Sequence, residues 1–172
     1  MTLTPALFGA LDFGALPSVA PGIGAGLGIA HGAFPWLRIE GSAALWPSIT
    51  AAAGTQRESR FTLRAFDLGA CVLIVRDARW ELAPCLSAEL AWILGQGVSE
   101  TTPGRGDATW LALRGTASAA YFVTQSFGFR LDMGAGVALA RPAFVVQGPN
   151  GGLVHKPAGV TGRTAFGVEL RF

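Results

Sequence analysis

Apolar and polar residues alternate with a period of two along almost the whole chain. In the last segment Phe166, Val168, Leu170 and Phe172 share one face, and Arg163, Gly167, Glu169 and Arg171 share the other. Residues 127–140 repeat the pattern, with Phe127, Phe129, Leu131, Met133, Val137 and Leu139 set against Gly128, Arg130, Asp132, Gly134 and Gly136. In 79–93 Trp80, Leu82, Leu86, Leu90 and Trp92 alternate with Arg79, Glu81, Ser87 and Glu89. Successive side chains of a strand point to opposite sides, so this period predicts strands and not helices. Eight are predicted, at 6–16, 21–31, 36–46, 60–75, 79–95, 109–123, 126–142 and 160–172.

The stretch from Phe13 to Leu37 carries no charge, which raises the possibility of a transmembrane helix. Pro17, Pro21 and Pro35 interrupt it, and Gly22, Gly24, Gly26 and Gly28 recur every second residue. Each glycine costs a helix about 1 kcal/mol. The segment therefore reads as a strand with one face of small residues.

The predicted connections alternate in length. His31–Pro35, Arg76–Ala78 and Thr124–Gln125 are short; Pro47–Ser59, Gln96–Ala108 and Pro142–Ala158 are long and rich in Gly, Pro and Thr. Pro17–Ala20 breaks the rule by being short. Tight turns on one rim and long loops on the other, with an even strand number, fit a closed antiparallel up-and-down barrel across an outer membrane.

Alternation alone does not say which face is inside. An inward apolar face makes a soluble, lipocalin-like barrel binding a small apolar ligand. An outward one makes a transmembrane barrel. Composition favours the second, because the chain is 51% hydrophobic and only 14% charged, against about 25% in soluble domains. The polar face is crowded with Gly, Ala and Ser, which suits a narrow lumen. Its charges nearly balance: Asp12, Glu40, Asp67, Glu81, Glu89, Asp132 and Glu169 oppose Arg38, Arg79, Arg114, Arg130, Arg163 and Arg171. An enclosed lumen needs such pairing, because an unpaired buried charge is costly.

Aromatic residues collect near the strand ends. Trp36, Trp80, Tyr121, Phe127 and Phe172 fall toward the short turns, and Trp46, Trp92 and Trp110 toward the long loops. Trp36, Trp46 and Trp110 nevertheless have the parity of the lumen face, which places them beyond the membrane or after a bulge. Pro84 interrupts a strand that has two neighbours and predicts a bulge near the short-turn rim.

With these features the chain resembles the small eight-stranded outer-membrane barrels of the OmpA/OmpX type, over essentially its whole length of 172 residues. The residues that carry the likeness are the final run from Gly162 to Phe172. An aromatic last residue preceded by alternating apolar ones is similar to that class's assembly signal. The resemblance implies that Phe166, Val168, Leu170 and Phe172 are read by the barrel-assembly machinery, and that the partner of the mature chain is the lipid bilayer of the bacterial outer membrane. Met1–Ala20 carries no basic residue, so the chain reads as a mature form or as a domain of a longer exported protein.

Cys71 and Cys85 lie equally far from Ala78, so pairing about that turn sets them opposite each other on the lumen face. In an oxidising periplasm this predicts a cross-strand disulfide; the alternative is two free buried thiols.

Sites for chemistry are few. Gly22 to Gly28 fails the G-x-G-x-x-G spacing, because position 27 is Leu. No nucleophile elbow or P-loop is present. His31 reads as a turn residue and His155 as a solvated loop histidine; they fall on opposite rims, and no cluster has metal-ligand spacing. Glu81 and Glu89 are about 26 Å apart at strand rise, too far for paired acid–base work. With Lys156 the only lysine and no basic block, nucleic acid is excluded as a partner. The lumen charges Asp12, Arg38, Glu40, Asp67, Glu81, Glu89, Arg114, Arg130, Asp132, Arg163, Glu169 and Arg171 are expected to form a salt-bridge network. The sequence thus predicts a monomeric, non-catalytic, cofactor-free barrel that anchors or displays its loops, Gly95–Ala108 and Gln147–Ala158 among them. A small outer-membrane enzyme or a narrow channel is the remaining alternative.

Overall fold

The computed structural model describes residues 1–51, 58–97, 105–146 and 152–172, and every element among them is a strand. In chain order these are β1 (Thr2–Phe13), β2 (Ala20–Ala30), β3 (Leu37–Ala51), β4 (Ser59–Val72), β5 (Val75–Arg76), β6 (Trp80–Gly97), β7 (Arg105–Phe122), β8 (Phe127–Ala140), β9 (Phe144–Val146), β10 (Gly152–His155) and β11 (Val160–Leu170). Each long strand pairs antiparallel with its sequence neighbours. β4 pairs with β6 and β11 pairs with both β1 and β8, so the sheet closes on itself. At the seam Leu3 and Phe172 exchange two backbone hydrogen bonds, each 3.0 Å. The short β5 continues the edge of β4 along β6, and β9 with β10 forms a separate hairpin inside the last long connection.

Of the four prolines inside strands, Pro5 and Pro21 keep regular pairing with Leu27 and Leu11, and Pro47 and Pro84 are accommodated by irregular pairing. At Pro47 the β3–β4 register slips between Trp46 and Ile49, so that Pro47 and Ser48 oppose Thr62 alone. The strand therefore runs on to Ala51 through residues that the sequence assigns to a loop. At Pro84 the bulge lies on the neighbouring strand: between the pairs Cys71–Cys85 and Val75–Leu82, three residues face two. Pro84 itself stays in register with Ala117 on its other side. A missing N–H is tolerated where the ladder is already broken.

The turns are closed by side chains that accept backbone hydrogen bonds. Asp77 Oδ1 accepts from Arg79 N at 2.7 Å and Trp80 N at 2.6 Å, and Thr124 Oγ1 accepts from Phe127 N at 3.0 Å. On the opposite rim Gly14 takes a φ of +96°, and Asp12 Oδ1 accepts from Ala15 N at 3.1 Å.

The apolar face points outward. Leu7 is 64% exposed, Leu68 65%, Leu86 65% and Phe166 60%, while Arg130 and Glu169 point inward. This is the reverse of a soluble ligand-binding barrel, so the lipocalin-like alternative falls. A continuous belt of exposed Leu, Ile, Val and Phe has hydrocarbon as its matching solvent.

Candidate functional site

The lumen is filled in layers, and alternation decides which side chains enter it. Starting at the short-turn rim, the first layer is a cluster of Arg38, Glu40, Glu81, Arg130, Asp132, Glu169 and Arg171. Arg38 pairs with Glu81 and, at 2.6 Å, with Glu40. Arg130 bonds Glu40 at 2.7 Å, Asp132 at 2.9 Å and Glu169 at 3.2 Å. Arg171 bonds Glu81 at 2.8 Å and lies 3.6 Å over the Phe122 ring.

A second cluster lies deeper. Arg163 reaches Glu89 at 2.7 Å and both Asp12 and Asp67 at 3.3 Å. Arg114 reaches Glu89 at 2.8 Å, and Trp110 Nε1 donates to the same carboxylate at 2.8 Å. Among the described residues no ion pair joins the two clusters. Between them lies a cavity of about 120 Å³, lined by Thr4, Ser42, Ser87 and Thr116 and by charged members of both clusters.

The twelve residues expected in the network all line this interior, but the balance differs from the expected seven against six. Arg79 sits exposed in the turn before β6. Among the described residues the lumen holds the same seven carboxylates against five guanidiniums, so each cluster carries one carboxylate in excess. Parity could not show this, because Arg79 lies where the strand alternation ends.

A third layer, toward the long-loop rim, is apolar. Trp46 and Trp110 are fully buried with Phe61, Leu63 and Ile93. The two tryptophans thus obey their lumen parity and are not membrane-interface residues; only Trp36, exposed beside its turn, lies beyond the strands. The glycine stripe of β2 makes room for this filling. A Cβ on Gly22 would lie 2.6 Å from Trp46, and one on Gly24 would lie 2.5 Å from Phe8.

The β9–β10 hairpin covers the mouth. It leaves from β8, returns to β11, and reaches across to β4, where Phe144 and His155 meet the Phe61 ring at 5.1 and 5.2 Å. His155 Nε2 lies 2.9 Å from the Ala15 carbonyl. The histidine is therefore a half-buried part of an aromatic cap and not a solvated loop residue. Burial pushes its pKa below the ordinary 6.5, and the Ala15 carbonyl offsets part of that shift. His155 fell outside the predicted strands, so no alternation was available to reveal its contacts. The centres of the two loops expected to meet partners, 98–104 and 147–151, lie outside the described residues.

Cys71 and Cys85 are direct partners in the β4–β6 register and are joined by a disulfide that spans 14 positions of sequence. Glu40 lies close to both sulfurs. With those sulfurs bonded to each other, the trio offers no thiolates to a metal. At the end of β11, Phe166, Leu170 and Phe172 face outward and Val168 is half-buried beside them. Phe166 stacks on Phe129 of β8, and Phe172 is held by the seam to β1.

No protein-family model matches the chain, and no curated protein matches it. Solved structures do. A major outer membrane protein from Thermus thermophilus is similar over 100% of both chains, with a TM-score of 0.68 and 13% identity. The fold is that of the small outer-membrane barrels. Neisserial surface protein A gives a TM-score of 0.60 at 14% identity, over 99% of this chain and 96% of that one. Ail, the attachment invasion locus protein of Yersinia pestis, in complex with the heparin analogue sucrose octasulfate, gives 0.60 at 10% identity, over 99% and 97%. At these identities an eight-stranded outer-membrane barrel shares its architecture with such neighbours through strand pattern and closure, not through particular side chains.

Proposed function

We propose that this outer-membrane barrel is a sealed, monomeric, non-catalytic scaffold that anchors itself in the bilayer and holds its long loops at the outer rim. The supporting observation is the filled interior. An aromatic layer, two ion clusters and the Arg171–Phe122 floor leave a cavity of about 120 Å³, room for a few waters. Its one half-buried histidine is occupied by the Ala15 carbonyl and two phenylalanine rings, which favours a packing role over proton transfer. The direct test is conductance in a planar bilayer. Insertion without discrete current steps is expected, and a stable open conductance would overturn the sealed reading in favour of a narrow channel.

The terminal strand supports a second part of the proposal, that Phe166, Val168, Leu170 and Phe172 are read by the barrel-assembly machinery. Deleting Phe172 is expected to impair assembly in cells more than refolding in detergent. Equal losses in both would reduce its role to the seam hydrogen bonds with Leu3.

A further inference from the structure

Three arginines stand on the wrong face for a barrel that pairs its charges inside. On β4 the inward residues Phe61, Leu63 and Ala65 are buried, so Arg60 and Arg64 point outward, and both are exposed. On β7 Trp110 points inward and the β6–β7 register is unbroken up to Arg105, which gives exposed Arg105 the outward parity. Arg60 pairs with Gln96, and Gln96 pairs with Arg105, so the two arginines occupy one row across β4, β6 and β7. At a strand spacing of about 4.8 Å their Cα atoms are roughly 10 Å apart, well within the joint reach of two long side chains.

The level of this row identifies what it faces. Arg64 is the register partner of Trp92 and Leu45, and the Trp92 ring meets Phe66 at 5.7 Å. Trp92 faces outward five residues before the end of β6, where an aromatic girdle marks the membrane interface. Arg64 therefore sits at the edge of the hydrocarbon with apolar neighbours on three sides, and Arg60 and Arg105 lie farther out, at headgroup height. A guanidinium there extends toward the headgroups, and its fork matches phosphate geometry. Among the described residues none of the three forms an ion pair, whereas all five lumen arginines do. Among the described residues of this rim segment, Glu58 and Asp107 leave a net positive charge. The opposite half of the barrel presents Phe13, Pro21, Leu139 and Val160 at the same rim, with exposed Arg141 tied to the Pro157 carbonyl at 3.2 Å and exposed Lys156 beyond it in the last connection.

We propose that Arg60, Arg64 and Arg105 form a docking surface for the phosphorylated headgroup of an outer-leaflet lipid. The proposal rests on the membrane reading, which heat-modifiable refolding of the wild type in phosphatidylcholine vesicles tests separately. The experiment compares wild type with the R60Q/R64Q/R105Q variant in such vesicles with and without lipid A, reading retained lipid phosphate and the urea midpoint of unfolding. Wild type should retain lipid A and gain stability from it, and the triple variant should bind it about ten- to a hundredfold more weakly. Lipid A stripped of its phosphates should be lost from the wild type too. Equal retention by the triple variant, equal retention of the stripped lipid, or full competition by soluble inorganic phosphate would overturn the assignment. If the triple variant does not refold, R64Q alone carries the same comparison, with a smaller loss expected and unchanged retention overturning the assignment.

Discussion

Removing one cation from the deeper cluster should cost far more than removing one anion. Asp12, Asp67 and Glu89 face Arg114 and Arg163, and the most enclosed of them, Asp12 and Glu89, are 0% and 1% exposed. Arg163→Met leaves three carboxylates facing one guanidinium. Breaking a buried pair in this way costs about 3–5 kcal/mol. It also removes the guanidinium that lies 4.2 Å from the Trp46 ring, a contact of about 0.5–2 kcal/mol. Glu89→Gln leaves two carboxylates facing two guanidiniums, a balanced set. The amide keeps one oxygen, enough for Trp110 Nε1 but not also for Arg114 and Arg163, so its cost should be about 1–3 kcal/mol, that of weakened charge-assisted hydrogen bonds. Between mid-range values the predicted gap is about 2 kcal/mol. Reversible urea unfolding in phosphatidylcholine vesicles, followed by tryptophan fluorescence and by gel mobility without boiling, measures both variants. Equal costs, or a costlier Glu89→Gln, would refute the excess-carboxylate reading. A cost below about 1 kcal/mol for Arg163→Met would show that these pairs behave like solvated surface ones.

Other sites give sharper yes-or-no outcomes. Gly24→Ala places a methyl group 2.5 Å from Phe8 and 2.6 Å from the Ala43 carbonyl, and should destabilise by about 1–3 kcal/mol in the same urea titration, whereas Gly115→Ala, with nothing within 4 Å, should be neutral. Leu131→Arg puts a charge on the outward face between Phe166 and Ala119, and should cost about 2–4 kcal/mol of folding free energy in lipid; an unchanged value would mean that this face does not meet mid-bilayer hydrocarbon. The pKa of His155 is lower in the folded cap than its ordinary 6.5, so the cap's contribution is full above pH 6.5 and declines as pH falls through that value toward the folded one. The protection of amides 152–155, relative to their intrinsic exchange rates at each pH, should therefore fall on acidification in the wild type and much less in His155→Gln, and parallel profiles would remove His155 from the cap's stability.

What the sequence made legible follows from what alternation encodes. Period two located all eight barrel strands, because each outward position must satisfy lipid whatever its neighbour does. The same parity placed Cys71 opposite Cys85, once the turn at Ala78 fixed the register. It failed where two physical demands share one residue type. A tryptophan near a strand end satisfies a membrane interface and a lumen cap equally well, and hydrophobicity cannot separate them; Trp46 and Trp110 were given away only by parity. The irregular pairing at Pro47 was invisible because a proline within a Gly- and Thr-rich stretch looks like a loop, and only the partner strand reveals two residues facing one. The role of the β2 glycines was half legible: their spacing marked a small-residue face, but not that Trp46 and Phe8 from β3 and β1 would lie over it.

The layering also explains how one alternating pattern selects a single register. Sliding β11 by one residue against β1 and β8 would turn Arg163, Glu169 and Arg171 into hydrocarbon and Phe166, Val168 and Leu170 into the ion clusters. An arginine at mid-bilayer alone costs about 2–4 kcal/mol, so the slipped barrel loses several times that and gains no pairs in return. The apolar cap adds a second lock of opposite sign. A slip of β4 would carry Phe61 and Leu63 out of the cap and bring Arg60 and Arg64 into it, where no carboxylate waits. Charge inside one half of the lumen and aromatic packing inside the other thus reject the same error by different physics, and a barrel closed by both needs no catalytic or ligand-binding role to account for its buried charges.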